Sequence, residues 1–270
     1  MKHIVITGGS RGIGFGLAKE FLKRGNKVTI SGRNSESLAL AVEKLSEVTG
    51  NGEIKGFQCN VTSIQESEIL WQEAVTIAPV DIWINNAGIN HDTHKFNELD
   101  LEKVLEVINT NISGTAIASH IVINKMIGQG HGTIYNMEGF GSDGRKIDGM
   151  SVYGLSKRAI RYFSRSLALE YQKSNIQIGS ISPGMVLTDM ILEPIRLRPE
   201  ESREAIKIFN ILSDTVETVT PWLVEKILKN KKQGAHIAWL TGWKITRRFI
   251  GNIFVKRNVP GLPSGSTKNH

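Results

Sequence analysis

The sequence predicts an α/β fold: one doubly wound domain around a parallel sheet of about seven strands. Three observations carry this expectation. Short continuous apolar runs alternate with segments whose apolar residues recur at 3.6-residue spacing. The alternation repeats at roughly 30 residues, the length of a strand and its crossover helix, which makes neighbouring strands parallel. A glycine-rich turn separates the first apolar run from the first helical pattern.

Each element follows in order. Residues 3–7 (His-Ile-Val-Ile-Thr) read as a buried strand, and Ile13, Leu17, Phe21 and Leu22 as the apolar face of a helix that stops at Gly25. Residues 28–30 are a second strand. Leu38, Ala41, Val42, Leu45 and Val48 mark a second helix before the Gly50-Asn51-Gly52 turn. Strand 54–58, helix 63–78 and strand 80–84 follow, then a long helical region from about 99 to 126. Strand 132–137, helix 151–173, strand 176–182 and a seventh strand near 235–240 complete the pattern. No Pro/Ser-rich linker interrupts the first 230 residues, so residues 1–243 read as one domain with a substrate loop at about 189–215. Residues 244–270 form a basic C-terminal extension, with Pro260–Ser266 expected to fray.

Composition narrows the classes. The chain has 270 residues, 40% of them hydrophobic, so a single core needs no staples. The single cysteine, Cys59, excludes a disulfide framework and a cysteine-rich zinc site, and is expected as a small core residue. The apolar runs fall short of the ~18–20 residues of a membrane span. No secretory or transit-type leader precedes the first strand, so the expectation is a cytoplasmic protein. Net charge is +7, yet ten Lys and Arg and no acid lie from Lys226 onward, leaving −3 for residues 1–225. That asymmetry argues against a nucleic-acid binder. Within the tail, Ile245, Phe249, Ile253 and Phe254 interleave with Lys244, Arg247, Arg248, Lys256 and Arg257. The favoured reading packs this stripe on the protein or a neighbouring subunit and leaves the charges solvated. Peripheral contact with an anionic membrane is the alternative.

Two motifs carry chemistry. Thr7-Gly8-Gly9-Ser10-Arg11-Gly12-Ile13-Gly14 joins the first strand to the first helix, and its glycines permit a tight turn beneath a pyrophosphate held at the helix N-terminus. The Rossmann-type nucleotide site so defined favours NADP(H). Where an acid would accept ribose hydroxyls, Ser31-Gly32-Arg33-Asn34 offers Arg33, which with Arg11 suits a 2′-phosphate. Tyr153-Gly154-Leu155-Ser156-Lys157 places Tyr153 and Lys157 on one helical face. A nearby ammonium favours phenolate, so the tyrosine pKa is expected below its reference of ~10. Such a phenol can protonate a carbonyl oxygen or take a hydroxyl proton in reverse. His91-Asp92-Thr93-His94 reads as a polar rim loop and not as a metal site. Phe209, Trp222, Trp239 and Trp243 are expected in core or interface packing, with a cap over a flat substrate as the alternative.

Together with Asn85-Asn86-Ala87-Gly88, Asn111 and Ser182-Pro183-Gly184, these motifs resemble the short-chain dehydrogenase/reductase family over residues 2–190. The resemblance implies a carbonyl or alcohol substrate and a homo-oligomer. It implies that Asn86, Ala87 and Gly88 close the cofactor site, that Asn60 and Val61 lie beside the adenine, and that Pro183, Gly184, Val186 and Thr188 meet the nicotinamide end. It further implies that Asn111 joins Lys157 in a proton relay. One position departs from the family: the usual substrate-binding serine falls on Gly139. Ser142, Glu138 or a backbone N–H must replace it, or activity is lost and a nucleotide-binding regulatory or scaffold protein remains. Asn136–Arg145 and Trp239–Lys244 look like the family's chlorophyll(ide) b reductase branch, in which an aromatic formyl group is reduced.

Overall fold

The computed structural model describes every residue except 49, 198, 199, 201 and 263–270. The end of the segment expected to fray lies outside the described residues. Seven parallel strands form the central sheet: β1 (His3–Thr7), β2 (Lys27–Gly32), β3 (Glu53–Gln58), β4 (Ile82–Asn85), β5 (Gly132–Met137), β6 (Ile176–Ser182) and β9 (His236–Ala238). Their order is β3-β2-β1-β4-β5-β6-β9. The direction of winding reverses between β1 and β4, which opens a crevice at the carboxyl ends of those strands.

Side chains alternate across the sheet, so β1 serves two cores at once. Ile4 and Ile6 join the layer under α1 (Gly12–Lys23), α2 (Ser35–Ser46) and α9 (Val216–Lys229), where Phe21, Leu17 and Leu223 are buried. Val5 faces the opposite layer with Trp83, Leu70 of α3 (Ile64–Ile77), Met126 of α5 (Gly114–Gln129) and Leu167 of α6 (Ser151–Glu170). Asn34 and Ser63 accept N–H bonds from Ser37 and Glu66 and so cap α2 and α3. The long helical region expected from 99 to 126 is interrupted: α4 (Leu101–Ile108) runs through one π-helical segment, Asn109–Ser113, into α5.

Beyond β6 the chain builds a second layer at the carboxyl ends. β7 (Val186–Leu187) pairs in parallel with β8 (Asp214–Thr215), and α7 (Asp189–Leu197) and α8 (Arg203–Leu212) lie between them in sequence. The last helix, α10 (Gly242–Phe254), packs on α8. Here one part of the expectation for the tail is corrected: two of its charges are not solvated. Phe249, Ile250, Ile253 and Phe254 point to solvent, while Arg248 and Arg257 turn inward onto the buried carboxylate of Asp214. Arg248 Nη2 lies 2.6 Å from Oδ2, and the two guanidiniums also donate to the carbonyls of Leu212 and Ile211 at the end of α8. Trp239 Nε1 donates to Asp214 Oδ2 as well, at 2.6 Å. A buried anion demands cations, and that demand outweighs the orientation that apolar periodicity alone would choose. Trp222 and Trp239 meet edge to face, 5.4 Å apart, against the core layer.

Candidate active site

The glycine turn is shaped by what presses on it. Gly8 has φ +64°, and a Cβ there would stand 2.8 Å from Ala87 Cα; a Cβ on Gly14 would collide with the Gly8 carbonyl and the Asn86 carboxamide. Asn86 Nδ2 donates to the carbonyls of Thr7 and Gly8, each at 2.9 Å, and Thr7 Oγ1 accepts from the N–H groups of Asn86 and Ala87 at 3.1 Å. The β1–α1 turn and the segment after β4 are thereby locked into one cradle. Arg11 occupies the N-cap of α1 without a side-chain bond to the helix, so the first-turn N–H groups of Gly12, Ile13 and Gly14 face the crevice with no side-chain acceptor. Thr188 reaches across from the second layer: a Cβ on Gly12 would sit 3.3 Å from its Cγ2. An uncapped helix start above glycines that exclude side chains fits a dinucleotide pyrophosphate.

The other cofactor candidates take varied positions. Gly32 brings β2 close to Ser10. Arg33 is 52% exposed and pairs with Glu106 of α4 at 3.2 Å. Asn60 uses its side-chain oxygen on the Thr62 hydroxyl at 2.9 Å, and Val61 is buried against Gly114. Gly184, at φ +76°, turns tightly against Leu240 after Pro183. The Val186 side chain enters the core, and its backbone lies in the ladder that pairs β7 with β8.

Tyr153 and Lys157 come together as their spacing requires, with the ammonium 5.7 Å from the phenol ring centre. Lys157 Nζ donates to the Met137 carbonyl at 3.3 Å. A Cβ on Gly139 would stand 2.7 Å from Tyr153 Oη and within 3.2 Å of the Lys157 side chain, so the strand end meets the catalytic face as bare backbone. Gly88 borders the same space, since a Cβ there would lie 3.2 Å from Asn111 Oδ1 and 3.4 Å from Lys157 Nζ. The π segment presents Asn111, whose carboxamide exchanges bonds with the backbone of Ile89 and donates to Ser156 Oγ at 3.0 Å. Behind it, Asn85 donates to Ser119 Oγ and Asn136 Oδ1, while Asn136 donates to Ser164 Oγ. This buried amide network ties β4 and β5 to α5 and α6.

The electrostatics correct one expectation. Burial pushes the Tyr153 phenol up to about 12 and pushes the Lys157 ammonium down to about 8, with Glu138 opposing the latter. Desolvation sets the direction for the phenol, so the tyrosine stands in its neutral, proton-donating form. Chemistry that depends on the Lys157 charge is expected to fall as pH rises through about 8. The check is the pH profile of turnover, and a flat profile to about pH 10 would remove the ammonium from the reaction.

One residue whose role pattern reading missed, His91, joins the expected Ser142 in completing the site. His91, part of the expected rim loop, accepts the N–H of Tyr153 through Nε2 at 3.2 Å and caps the start of α6. Its other ring nitrogen lies 2.7 Å from the Asp92 carbonyl. Ser142 is buried, its carbonyl accepts from Arg158, and its hydroxyl lies in the surroundings of the Glu138 carboxylate. A histidine just after the Asn85–Gly88 turn was the only signal available for the helix cap.

The doubly wound sheet, the open helix start at its switch point and the Tyr153–Lys157 pair define a Rossmann-type oxidoreductase that interconverts carbonyl and CH–OH groups with a nicotinamide cofactor. The chain belongs to the short-chain dehydrogenase family, whose model, short chain dehydrogenase, matches residues 2–195. It is 33% identical over 261 residues to the chloroplastic chlorophyll(ide) b reductase NOL of Arabidopsis thaliana, covering 93% of this chain and 73% of that one. It is 31% identical over 191 residues to a 3alpha-hydroxysteroid dehydrogenase of Mediterraneibacter gnavus, covering 70% and 76%. Among solved folds it superposes on levodione reductase with a TM-score of 0.81 at 22% identity, over 90% of this chain and 97% of that one. It superposes on ElxO with NADP bound with a TM-score of 0.78 at 24% identity, over 91% and 99%. No helix among the described residues is long and apolar enough to cross a membrane.

Proposed function

We propose that the chain is an NADP(H)-dependent carbonyl reductase whose substrates include a formyl group on a large aromatic ring. The observation that carries the reading is the meeting of Tyr153 Oη, the Lys157 side chain and the bare backbone of Gly139 beside Gly88 and the open start of α1. The cofactor, when bound, supplies the hydride. Gly8 to Gly14 and Asn86 to Gly88 would hold its phosphates and ribose. Tyr153 would give its proton to the carbonyl oxygen, Lys157 would fix that phenol and contact the nicotinamide ribose, and Asn111 would hold the polar end of the relay. Ser142 is assigned to Glu138 and not to the substrate oxygen. The similarity to a chlorophyll(ide) b reductase over 93% of the chain supports the formyl class.

The test is NADPH oxidation followed with a panel of aldehydes and ketones that includes formyl-bearing tetrapyrroles. Binding of NADPH without turnover of any member would favour the scaffold reading that Gly139 raises. Family analogy adds a homo-oligomer, which sedimentation measures directly.

Cofactor choice has its own test. Arg33 pairs with Glu106 at the surface, an interaction of ~0–1 kcal/mol that a 2′-phosphate would displace. Arg33→Asp is expected to lower the NADPH/NADH preference by about one to two decades, since a charge-assisted bond is worth ~1.5–3 kcal/mol. An unchanged ratio would mean that Arg33 stays on Glu106 when the cofactor binds.

A further inference from the structure

Glu138 is a buried carboxylate that the mechanism above does not use. It follows β5 directly, and its N–H continues the sheet by donating to Ile181 at 2.8 Å. Its side chain is only 1% exposed, and neither oxygen has a hydrogen bond of good geometry. A guanidinium, an imidazole and two hydroxyls stand around it. Arg161 Nη1 of α6 lies 3.5 Å from Oε2, and His236 Nδ1 of β9 lies 3.4 Å from Oε1. Ser180 of β6 and Ser142 of the following loop complete its surroundings, and Ser180 Oγ is also 3.0 Å from His236 Nδ1.

The placement ties this anion to the reaction centre. Tyr153, Lys157 and Arg161 follow at successive turns of α6, on one stripe of the helix. Residues 137–139 run along that stripe. The Met137 carbonyl accepts from Lys157, the Glu138 carboxylate meets Arg161, and the Gly139 backbone lies under Tyr153 Oη. A buried ammonium among backbone carbonyls is costly unless an opposite charge stands near. Among the described residues, Glu138 is the carboxylate that acts on Lys157.

We propose that Glu138 is a positioning residue for the Tyr153–Lys157 pair: a buried anion, fixed by Arg161 and His236, that keeps the Lys157 ammonium charged and aimed at Tyr153 where the strand end carries no serine. This inference rests on the reductase reading. Burial alone discourages the Lys157 charge, and Glu138 opposes that discouragement. Its own carboxyl is opposed by burial, yet contacts from His236, Ser180 and Ser142 hold it below the usual carboxylate range, so it is an anion at working pH.

Glu138→Gln keeps the shape and removes the charge. The alkaline limb of kcat/KM is expected to move down by about one pH unit, the size of effect a neighbouring opposite charge exerts. NADPH affinity at pH 7, read by the fluorescence of the bound nucleotide, should stay near wild type, and Glu138→Asp should return the limb most of the way. Glu138→Met, an apolar residue of similar length, serves where the glutamine variant does not fold. A folded, active variant with the wild-type limb would overturn the proposal and leave the reductase reading standing. Failure of both neutral variants to fold would assign the carboxylate to holding β5 against α6 and would also overturn it. A wild-type chain that neither binds nor oxidises NADPH would remove the reductase reading, and this inference with it.

Discussion

Tyr153→Phe is expected to lower kcat by about 10²–10⁴, the usual contribution of a positioned general acid. The change removes one oxygen and leaves the ring beside the Lys157 ammonium, with the backbone N–H of residue 153 still donating to His91. NADPH binding, which the proposed function places on the glycine cradle and the start of α1, should barely change. Single-turnover kinetics with a saturating aldehyde would separate the two effects. Activity within about tenfold of wild type would sink the assignment, because Tyr153 Oη is the atom nearest to where a Gly139 side chain would stand.

The second large effect is expected far from the chemistry. Asp214→Ala removes the anion on which Arg248, Arg257 and the Trp239 indole converge. Breaking a buried pair by deleting one partner costs ~3–5 kcal/mol, since the remaining charges stay desolvated. For a chain of this size that is a fall in Tm of roughly 10 °C. Asp214→Asn should cost less, as it retains acceptors for the indole and one guanidinium. The same carboxyl gives the structure an acid limit. Burial works against its charge, but Trp239, Arg248 and Arg257 outweigh burial and hold it below the usual aspartate range. Its stabilisation is therefore present above the unfolded value of ~3.9 and is lost as pH falls toward the folded one. Thermal melts of Asp214→Ala and wild type at neutral and acid pH should converge as this carboxyl protonates.

The sheet was legible because its strands are short apolar runs bounded by glycine turns, and because Ile4, Val5 and Ile6 are buried on both faces. The glycine turn and the Tyr153/Lys157 spacing were legible because backbone geometry leaves few alternatives for either. The second layer was not. β7 and β8 have two residues each, too few for any period, and Pro194 and Pro221 stand inside α7 and α9 and read as breaks. The orientation of α10 depends on Asp214, some 30 positions upstream, and a helical period carries no information about a partner of that kind. The raised Tyr153 pKa likewise depends on desolvation, which spacing on one helix does not reveal. Glu138 was visible as one candidate to replace the missing serine, but Arg161 and His236, which meet its carboxylate, come from elements far apart in the chain.

The clamp on Asp214 also orders events during synthesis. Asp214 is made well before Arg248, and Arg257 follows it by 43 positions. Until those arginines leave the ribosome, the nascent β7–β8 ladder holds a carboxylate that has no guanidinium to receive it, although the sheet up to β6 can already close. Domains tend to fold from the N-terminal side as they emerge. The glycine cradle can thus form early, while the second layer waits for Arg248 and Arg257 to arrive and lock it.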